Sequence, residues 1–115
     1  MSEDCIFCKI IAKEIPAERL YSDERVIAFR DNAPAAPVHI LIIPNKHIAS
    51  MREANVEDEA LLGHMQLVAQ KLAIEEGIDK KGYRLVINVG DDGGQVVYHL
   101  HLHLMGGKPL RVQKY

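Results

Sequence analysis

The chain has 115 residues, of which 48% are hydrophobic and 26% charged, as expected for one ordinary globular domain spanning residues 1–115. Its net charge of −2 argues against a basic nucleic-acid-binding surface, so we expect a small or discrete partner and no nucleic acid. Lys9 and Lys13 interrupt the short apolar run near the start, so we expect no signal peptide and no membrane association, and we interpret the chain as cytoplasmic.

A C-x-x-C motif contains both cysteines of the chain, Cys5 and Cys8. It begins a short helix predicted over residues 5–13, with residues 2–4 as N-cap candidates and Pro16 as the stop. A disulfide here would close too small a loop to stabilise the fold, which leaves metal binding or redox chemistry. A thioredoxin-like redox pair needs a strand before the helix, and too few residues precede Cys5 to form one. Structural zinc is better supported, since the motif supplies two thiolates and needs two more ligands.

Strands are predicted at residues 18–22, 25–31 and 38–44. A turn around Asp23 separates the first two, and two prolines in the segment "DNAPAAP" indicate a loop before the third. The third strand is almost entirely apolar except for His39. From this strand alone, His39 is as consistent with a hydrogen-bonded core residue as with a functional one.

The long helix is the clearest predicted element. Apolar residues recur at helical spacing from Leu61 to Leu72, and the resulting apolar face is expected to cover a sheet. Asn55 can cap the start of the helix and Gly77 can end it. His64, on this helix, is interpreted as a structural residue.

A strand at 83–90, a polar turn at 91–95 and a final strand at 96–107 complete the predicted elements. Their order predicts an α+β fold with a mainly antiparallel sheet of about five strands, one short helix and one long helix. Gly93 and Gly94 tolerate the backbone angles that aim N–H groups at an anion. Most double-glycine turns only join strands, but a chemically unusual strand follows this one, which makes the turn a candidate phosphate cradle.

The stretch "HLHLHLM" places His99, His101 and His103 on one side of the predicted last strand and the intervening leucines on the other. Three interpretations are open: structural histidines, one shared metal ion, or separate chemical roles with the central histidine reacting. Neighbouring rings would be separated by about 6.6 Å and the outer pair by twice that, which disfavours convergence on one tetrahedral ion.

The alternating histidines followed by two apolar residues resemble the signature of histidine-triad (HIT) nucleotide hydrolases and transferases. The likeness extends through "IFCKIIAKEIPA", "AFRDNAPAAPVHILIIPNKHI" and "GYRLVINVGDDGGQVVYHLHLHLMGG". It is most similar to the Hint-like branch of nucleoside phosphoramidases. This resemblance implies a single HIT domain, a homodimer whose two sheets join, and hydrolysis of purine nucleoside 5′-phosphoramidates with an AMP-type nucleotide bound.

By the resemblance, His101 is the nucleophile that forms a nucleotidyl-histidine, His103 hydrogen-bonds the phosphate oxygens and His39 orients the triad. The chemistry agrees, because neutral imidazole has an unshared electron pair at neutral pH and can attack phosphorus without an auxiliary base. The remaining residues implied to contact the nucleotide line the base and ribose pocket (Phe7, Ile10, Phe29, Asp31, Asn32) or the phosphate turn (Asn88, Gly94, Gln95, Val96).

The resemblance also implies that His47 and His99 complete a structural zinc site with the two cysteines, and it implies no organic cofactor. Two positions depart from the family pattern. Many relatives have a serine or threonine where this chain has Val96, so a hydroxyl contact to the substrate is missing. Asn32 replaces a commonly apolar residue. Val96 keeps open an alternative, a nucleotide-binding interaction protein with vestigial catalysis. The tail "KPLRVQKY" is short, so any specificity that relatives draw from longer C-termini stays undefined for this chain.

Overall fold

Five antiparallel strands form one sheet in the order β1-β2-β3-β5-β4 in the computed structural model, which describes residues 4–112. The strands and helices are β1 Arg19–Ser22, β2 Val26–Arg30, β3 Val38–Pro44, β4 Tyr83–Val86, β5 Leu102–Gly106, α1 Ile6–Ile11 and α2 Glu59–Glu75. The predicted α+β class with one short and one long helix is confirmed.

Helix α1 is shorter than the predicted span of 5–13. Cys5 caps it, since the Cys5 Sγ accepts a hydrogen bond from the Cys8 backbone N–H at 3.3 Å. Among the predicted caps, Asp4 lies in a turn outside the helix, and residues 2 and 3 lie outside the described part of the chain. The helix ends before Lys13, whose φ of 63° is left-handed and cannot continue it. The C-x-x-C motif itself therefore begins the helix.

Helix α2 follows a single 3₁₀ turn, Val56–Asp58, rather than starting directly at Asn55 as predicted. Asn55 and Asp58 form a capping box on that turn. The Asn55 side chain accepts a hydrogen bond from the Asp58 backbone N–H, and the Asp58 side chain accepts one from the Asn55 backbone N–H. Gly77 lies just beyond the helix with a φ of 75°, the left-handed conformation that favours glycine at a helix end. Among residues 4–112, no helix is long and apolar enough to cross a membrane.

The two faces of the sheet bury different clusters. Because side chains alternate along β3, Ile40 and Ile42 pack with the apolar face of α2, whereas Leu41 and Ile43 pack with α1. Each fully buried aliphatic side chain of this kind contributes about 1.5–3 kcal/mol to folding. Helix α1 and its two cysteines are thereby fixed on the sheet face opposite α2.

The last two strands are shorter than predicted, which corrects the picture of one continuous histidine strand. β4 ends at Val86 instead of residue 90, and β5 begins at Leu102 instead of residue 96. The β3–β5 register, with Ile42 opposite Leu102, would place Pro44 opposite residue 100. Proline has no N–H to donate to a ladder, so pairing stops there. Leu100 instead donates its N–H to the Ile48 carbonyl at 2.7 Å.

Candidate active site and metal centre

His101 lies just before β5, and its ring is oriented by a hydrogen bond to the main chain two residues earlier. Its Nδ1 is 2.7 Å from the His99 backbone carbonyl oxygen. Because a carbonyl can only accept, Nδ1 carries the proton and Nε2 has the unshared electron pair. Burial lowers the pKa of His101, so the ring is neutral near pH 7. This tautomer gives His101 the electronic state that a nitrogen nucleophile needs.

Asp31, His39 and His103 form a second polar set, here called the histidine relay. The Ala35 backbone N–H donates to His39 Nδ1 at 3.0 Å, so the His39 proton is on Nε2. His39 Nε2 lies 2.9 Å from His103 Nδ1 and 3.5 Å from Asp31 Oδ2. His103 Nδ1 therefore accepts, and its proton is on Nε2, where it can be donated to a substrate oxygen.

Burial is also the main reason why the pKa of His103 falls to about 4, since a charged imidazolium loses solvation there. The ring of His103 lies beside that of His101, with 4.9 Å between centroids. A neutral ring with an N–H to donate thus lies next to a neutral ring with an unshared electron pair, an arrangement suited to attack at a phosphorus whose oxygens need hydrogen bonds.

A buried apolar cluster adjoins these rings. Phe7 meets His101 edge to face, with 5.2 Å between ring centroids, and meets Phe29 in the same way at 5.6 Å. Ile10 belongs to the same buried cluster. Asp31 follows β2 and is partly exposed, with its Oδ1 accepting from the Ala33 N–H at 2.8 Å, and Asn32 is exposed on the loop. The structure therefore brings Phe7, Ile10 and Phe29 together and leaves Asn32 at the margin.

The turn between β4 and His99 has a backbone that only glycine allows. A Cβ at Gly93 would lie 2.3 Å from the Val89 carbonyl oxygen, and Gly94 has a φ of 83°. The Asn88 side-chain amide donates to the Gly93 carbonyl at 2.8 Å and holds the turn closed. The side chain of Val96 is 87% exposed.

Gln95, predicted to contact phosphate, has its amide group engaged with the backbone. Its Oε1 accepts from the Gly90 N–H at 3.0 Å, and its Nε2 donates to the carbonyls of Ala49 and Val97 at 2.8 and 3.1 Å. The side chain thereby ties the phosphate turn to the loop after β3. In this arrangement, Gln95 shapes the turn rather than presenting its amide to a ligand.

Cys5, Cys8, His47 and His99 form a separate set, here called the cysteine–histidine cluster, with all four ligand atoms within 4.8 Å of one another. His99 Nδ1 lies 3.2 Å from Cys5 Sγ and 3.1 Å from His47 Nδ1, and His47 Nδ1 lies 3.3 Å from Cys8 Sγ. Tetrahedral zinc, at about 2.3 Å from sulfur and about 2.0 Å from nitrogen, separates its ligand atoms by about 3.3–3.8 Å. The donor set and its spacing fit one such ion.

The tautomer of His99 is also the one that metal binding requires. Its Nε2 donates to the Pro44 carbonyl oxygen at 2.8 Å, so the Nδ1 electron pair points at the cluster. Burial lowers the pKa of His99 to about 4, which keeps the ring neutral. The triad histidines thus separate into a cluster member, His99, and two residues whose rings lie beside each other, His101 and His103.

Main-chain atoms were the part of the site that the sequence could not reveal. The carbonyls of Pro44 and His99 and the N–H of Ala35 fix the tautomers of three histidines. No residue type signals such a contact, because every residue has a carbonyl group. His64, by contrast, pairs with Asp23 at 2.7 Å, in keeping with the structural role expected for it.

Residues 12–110 match the model of the HIT domain family. The chain is 53% identical over 110 residues to the purine nucleoside phosphoramidase of Escherichia coli, covering 96% of this chain and 92% of that protein. A HIT family hydrolase from Legionella pneumophila superposes with a TM-score of 0.92 at 51% identity, covering 94% of this chain and 96% of that one. A histidine triad protein from Clostridium difficile superposes with a TM-score of 0.96 at 44% identity, covering 99% of both.

Proposed function

The chain belongs to the HIT family, and we propose that it is a purine nucleoside phosphoramidase that cleaves the P–N bond of adenosine 5′-phosphoramidates. The observation that carries this proposal is the His101 hydrogen bond to the His99 carbonyl, which leaves Nε2 unprotonated and able to act as a nucleophile beside the Phe7 ring. The name of the 53% identical Escherichia coli relative supports the substrate class.

The reaction takes two displacements at the α-phosphorus. His101 Nε2 forms a bond to phosphorus while the P–N bond breaks, which releases the amine and leaves a nucleotidyl-histidine. Water then attacks the same phosphorus, breaks the P–N bond to His101 and yields the nucleoside monophosphate. Overall, one water is consumed, with its oxygen on phosphorus and its protons shared between the amine and the nucleotide. Two such steps replace one difficult direct hydrolysis.

The surrounding residues receive supporting roles in this proposal. His103, with its proton on Nε2, donates to a phosphate oxygen, and His39 is a positioning residue that fixes the His103 tautomer. The base packs against Phe7, Ile10 and Phe29, and Asp31 accepts from the ribose hydroxyls with Asn32 at the edge. The phosphate turn approaches the phosphate through its backbone, and its residues are Asn88, Gly94, Gln95 and Val96.

We further propose that the cysteine–histidine cluster binds a structural zinc. When bound, zinc would supply a cross-link between α1, the loop after β3 and the segment before β5, and it would not activate the attacking water. His99 Nδ1 and His47 Nδ1 already converge with the two sulfurs, which supports the assignment. An organic cofactor has no role in the proposed reaction.

The proposed assembly is a homodimer formed through the edge strand β4, which pairs only with β5 among the described strands. Leu85 on this strand is 37% exposed, so the edge presents apolar surface as well as backbone groups. Sedimentation velocity should give a dimer for the parent and a monomer for Leu85→Lys. A monomeric parent would contradict the dimer. A cytoplasmic location stays a prediction from the sequence.

The test of the activity is release of the amine from a fluorogenic adenosine phosphoramidate. We expect turnover by the parent and a decrease of at least about 10³-fold in His101→Ala, because loss of a nucleophile removes the covalent route. His64→Ala is the matched control, since it removes a histidine that pairs with Asp23 instead of the reaction site.

Two results would contradict the phosphoramidase proposal. If the folded parent binds adenosine monophosphate without turnover, the vestigial nucleotide-binding alternative replaces it, and the exposed Val96 would then explain the lost rate. If His101→Ala retains the parent's rate, another residue is the nucleophile.

A further inference from the structure

The proposed nucleophile lies outside the sheet, and this raises the question of what holds it. β5 begins at Leu102, so residues 99–101 have no ladder partner on β3. Two hydrogen bonds anchor this segment to the end of β3 and the loop after it: His99 Nε2 to the Pro44 carbonyl at 2.8 Å, and Leu100 N–H to the Ile48 carbonyl at 2.7 Å. Neither of these bonds is made by His101 itself.

The His101 ring depends on His99 for its orientation. Its Nδ1 donates to the His99 carbonyl, and the His99 side chain is the centre of the cysteine–histidine cluster, within 3.2 Å of Cys5 Sγ and 3.6 Å of Cys8 Sγ. The residue that fixes the nucleophile's tautomer is thus the same residue that joins the cluster. The carbonyl that His101 needs therefore belongs to the residue whose ring is anchored in the cluster.

Phe7 provides a second connection between the cluster and the nucleophile. It lies within the C-x-x-C motif, and its ring contacts His99 at 5.9 Å and His101 at 5.2 Å, edge to face in both cases. The two cysteines that flank Phe7 therefore also determine where its ring meets the nucleophile.

We propose that the cysteine–histidine cluster is a positioning element for the nucleophile, acting through the His99 carbonyl and the Phe7 ring. Without a bound ion, the contacts described between the four side chains are approaches of sulfur and ring nitrogen, which are weak hydrogen bonds. A bound ion would hold His99 at Nδ1, opposite the Nε2 that donates to the Pro44 carbonyl. This inference rests on the proposed phosphoramidase activity and on the proposed zinc site.

His47→Gln is the variant that tests the coupling. The polar contacts of the His47 ring are with Cys8 and His99, so the substitution removes one ligand without changing the sequence of α1 or of residues 99–101. His64→Gln is the control, a histidine on α2 that pairs with Asp23. Zinc content, kcat, KM and the ¹⁵N signals of the His101 imidazole are measured for each protein.

We expect His47→Gln to lose zinc and to lower kcat by about ten- to hundredfold, because small misplacements of a reacting group have effects of that size. KM should change less than kcat. The His101 signals should shift from those of a single Nδ1–H tautomer to a mixture, whereas His64→Gln should resemble the parent in all four measurements.

The spectroscopic measurement separates this proposal from the activity itself. If the parent hydrolyses no phosphoramidate, the proposed function fails, and the His101 signals of zinc-loaded and chelator-treated parent still test the coupling. Chelation that changes those signals, with recovery when zinc is added back, supports the coupling. Unchanged signals in folded, zinc-free protein would overturn it. Global unfolding of both His47→Gln and the chelated parent would also overturn it, because the cluster would then support the whole fold.

Discussion

The cysteine–histidine cluster and the histidine relay use the same kind of side chain for opposite purposes. In the cluster, two ring nitrogens and two sulfurs converge on one point, with His47 Nδ1 and His99 Nδ1 only 3.1 Å apart. In the relay, His39 Nε2 lies 2.9 Å from His103 Nδ1 and 3.5 Å from Asp31 Oδ2, so its N–H faces an imidazole nitrogen and a carboxylate oxygen. Two sulfurs in the cluster suit a soft cation, whereas the relay has no sulfur and its closest contact pairs a donor with an acceptor, which suits proton placement.

The comparison shows that the neighbours of a histidine, more than its position in the motif, determine what it does. His99 and His103 are both buried enough that their pKa falls to about 4. His99 contacts two cysteine sulfurs, whereas His103 contacts His39 Nε2, which also lies 3.5 Å from the Asp31 carboxylate. Because sulfur is the softer ligand, the zinc is proposed at the cluster, while the relay lacks any sulfur.

The largest expected effect comes from breaking the cluster with Cys8→Ser. Cys8 is 1% exposed and its sulfur lies near both His47 and His99, so we expect the variant to lose its zinc. A bound ion at a thousandfold its Kd stabilises the folded state by about 4 kcal/mol. Denaturant unfolding of parent and variant, each with metal content measured, should show a loss of this order.

Chelation is the matched control for Cys8→Ser. Removing zinc from the parent should lower its free energy of unfolding to near that of Cys8→Ser, and it should leave the variant unchanged. A cavity lined by Cys5, His47 and Tyr98 borders the cluster, so a chelator can reach it. Zinc retained at one ion per chain in Cys8→Ser would contradict the proposed ligand set.

A smaller effect is expected from breaking the relay with His39→Ala. The substitution removes the N–H that His103 Nδ1 accepts, so His103 no longer has its proton confined to Nε2. Loss of one positioned hydrogen-bond partner at a reaction site reduces kcat by about 10- to 100-fold. Steady-state kinetics should show this in kcat, with zinc content equal to that of the parent.

His39→Gln distinguishes positioning from packing at the same site. A glutamine amide can donate an N–H to His103 as His39 does, so we expect it to recover part of the rate lost in His39→Ala. Equal rates for the two variants would argue against a role in fixing the His103 tautomer. Loss of zinc in either variant would show that the two polar sets are not separate.

Much of this arrangement could be predicted from side-chain pattern. The strand predicted at residues 38–44 is confirmed as β3, and the confirmed sheet class follows from the order of the elements. The cluster members were also named from residue type and resemblance, and the structure brings them together.

The errors arise where main-chain hydrogen bonding decides the structure. The histidine alternation predicts a strand from residue 96, but the strand starts only at Leu102, because Pro44 in the extrapolated register cannot donate to it. Side chains nevertheless continue to alternate, with Leu100 in the α2-facing core. A period-2 pattern reports which way side chains point, and it does not report whether a partner strand is present.

The smallest expected effect concerns a third histidine environment, the pair of His64 and Asp23. A substitution in this pair tests whether contact between a histidine and a carboxylate is by itself a sign of function. Burial raises the pKa of Asp23, but hydrogen bonds from the Tyr21 hydroxyl, the Val26 N–H and His64 outweigh it and hold the pKa well below its usual range. We expect Asp23→Asn to lower the free energy of unfolding by about 1–2 kcal/mol at pH 7 without changing kcat.

The pH dependence of Asp23→Asn isolates the charge, because asparagine keeps an oxygen that can accept from the N–H groups of Arg25 and Val26. A carboxylate whose pKa is depressed by folding stabilises the protein above its unfolded pKa of about 3.9, and this contribution is lost as the pH falls towards the folded value. Denaturant unfolding should therefore show that the difference between parent and variant shrinks as the pH falls below about 4. A stability difference that does not depend on pH would assign the effect of Asp23→Asn to packing. A change in kcat would show that the reaction site extends to His64, which would contradict the structural role given to that histidine.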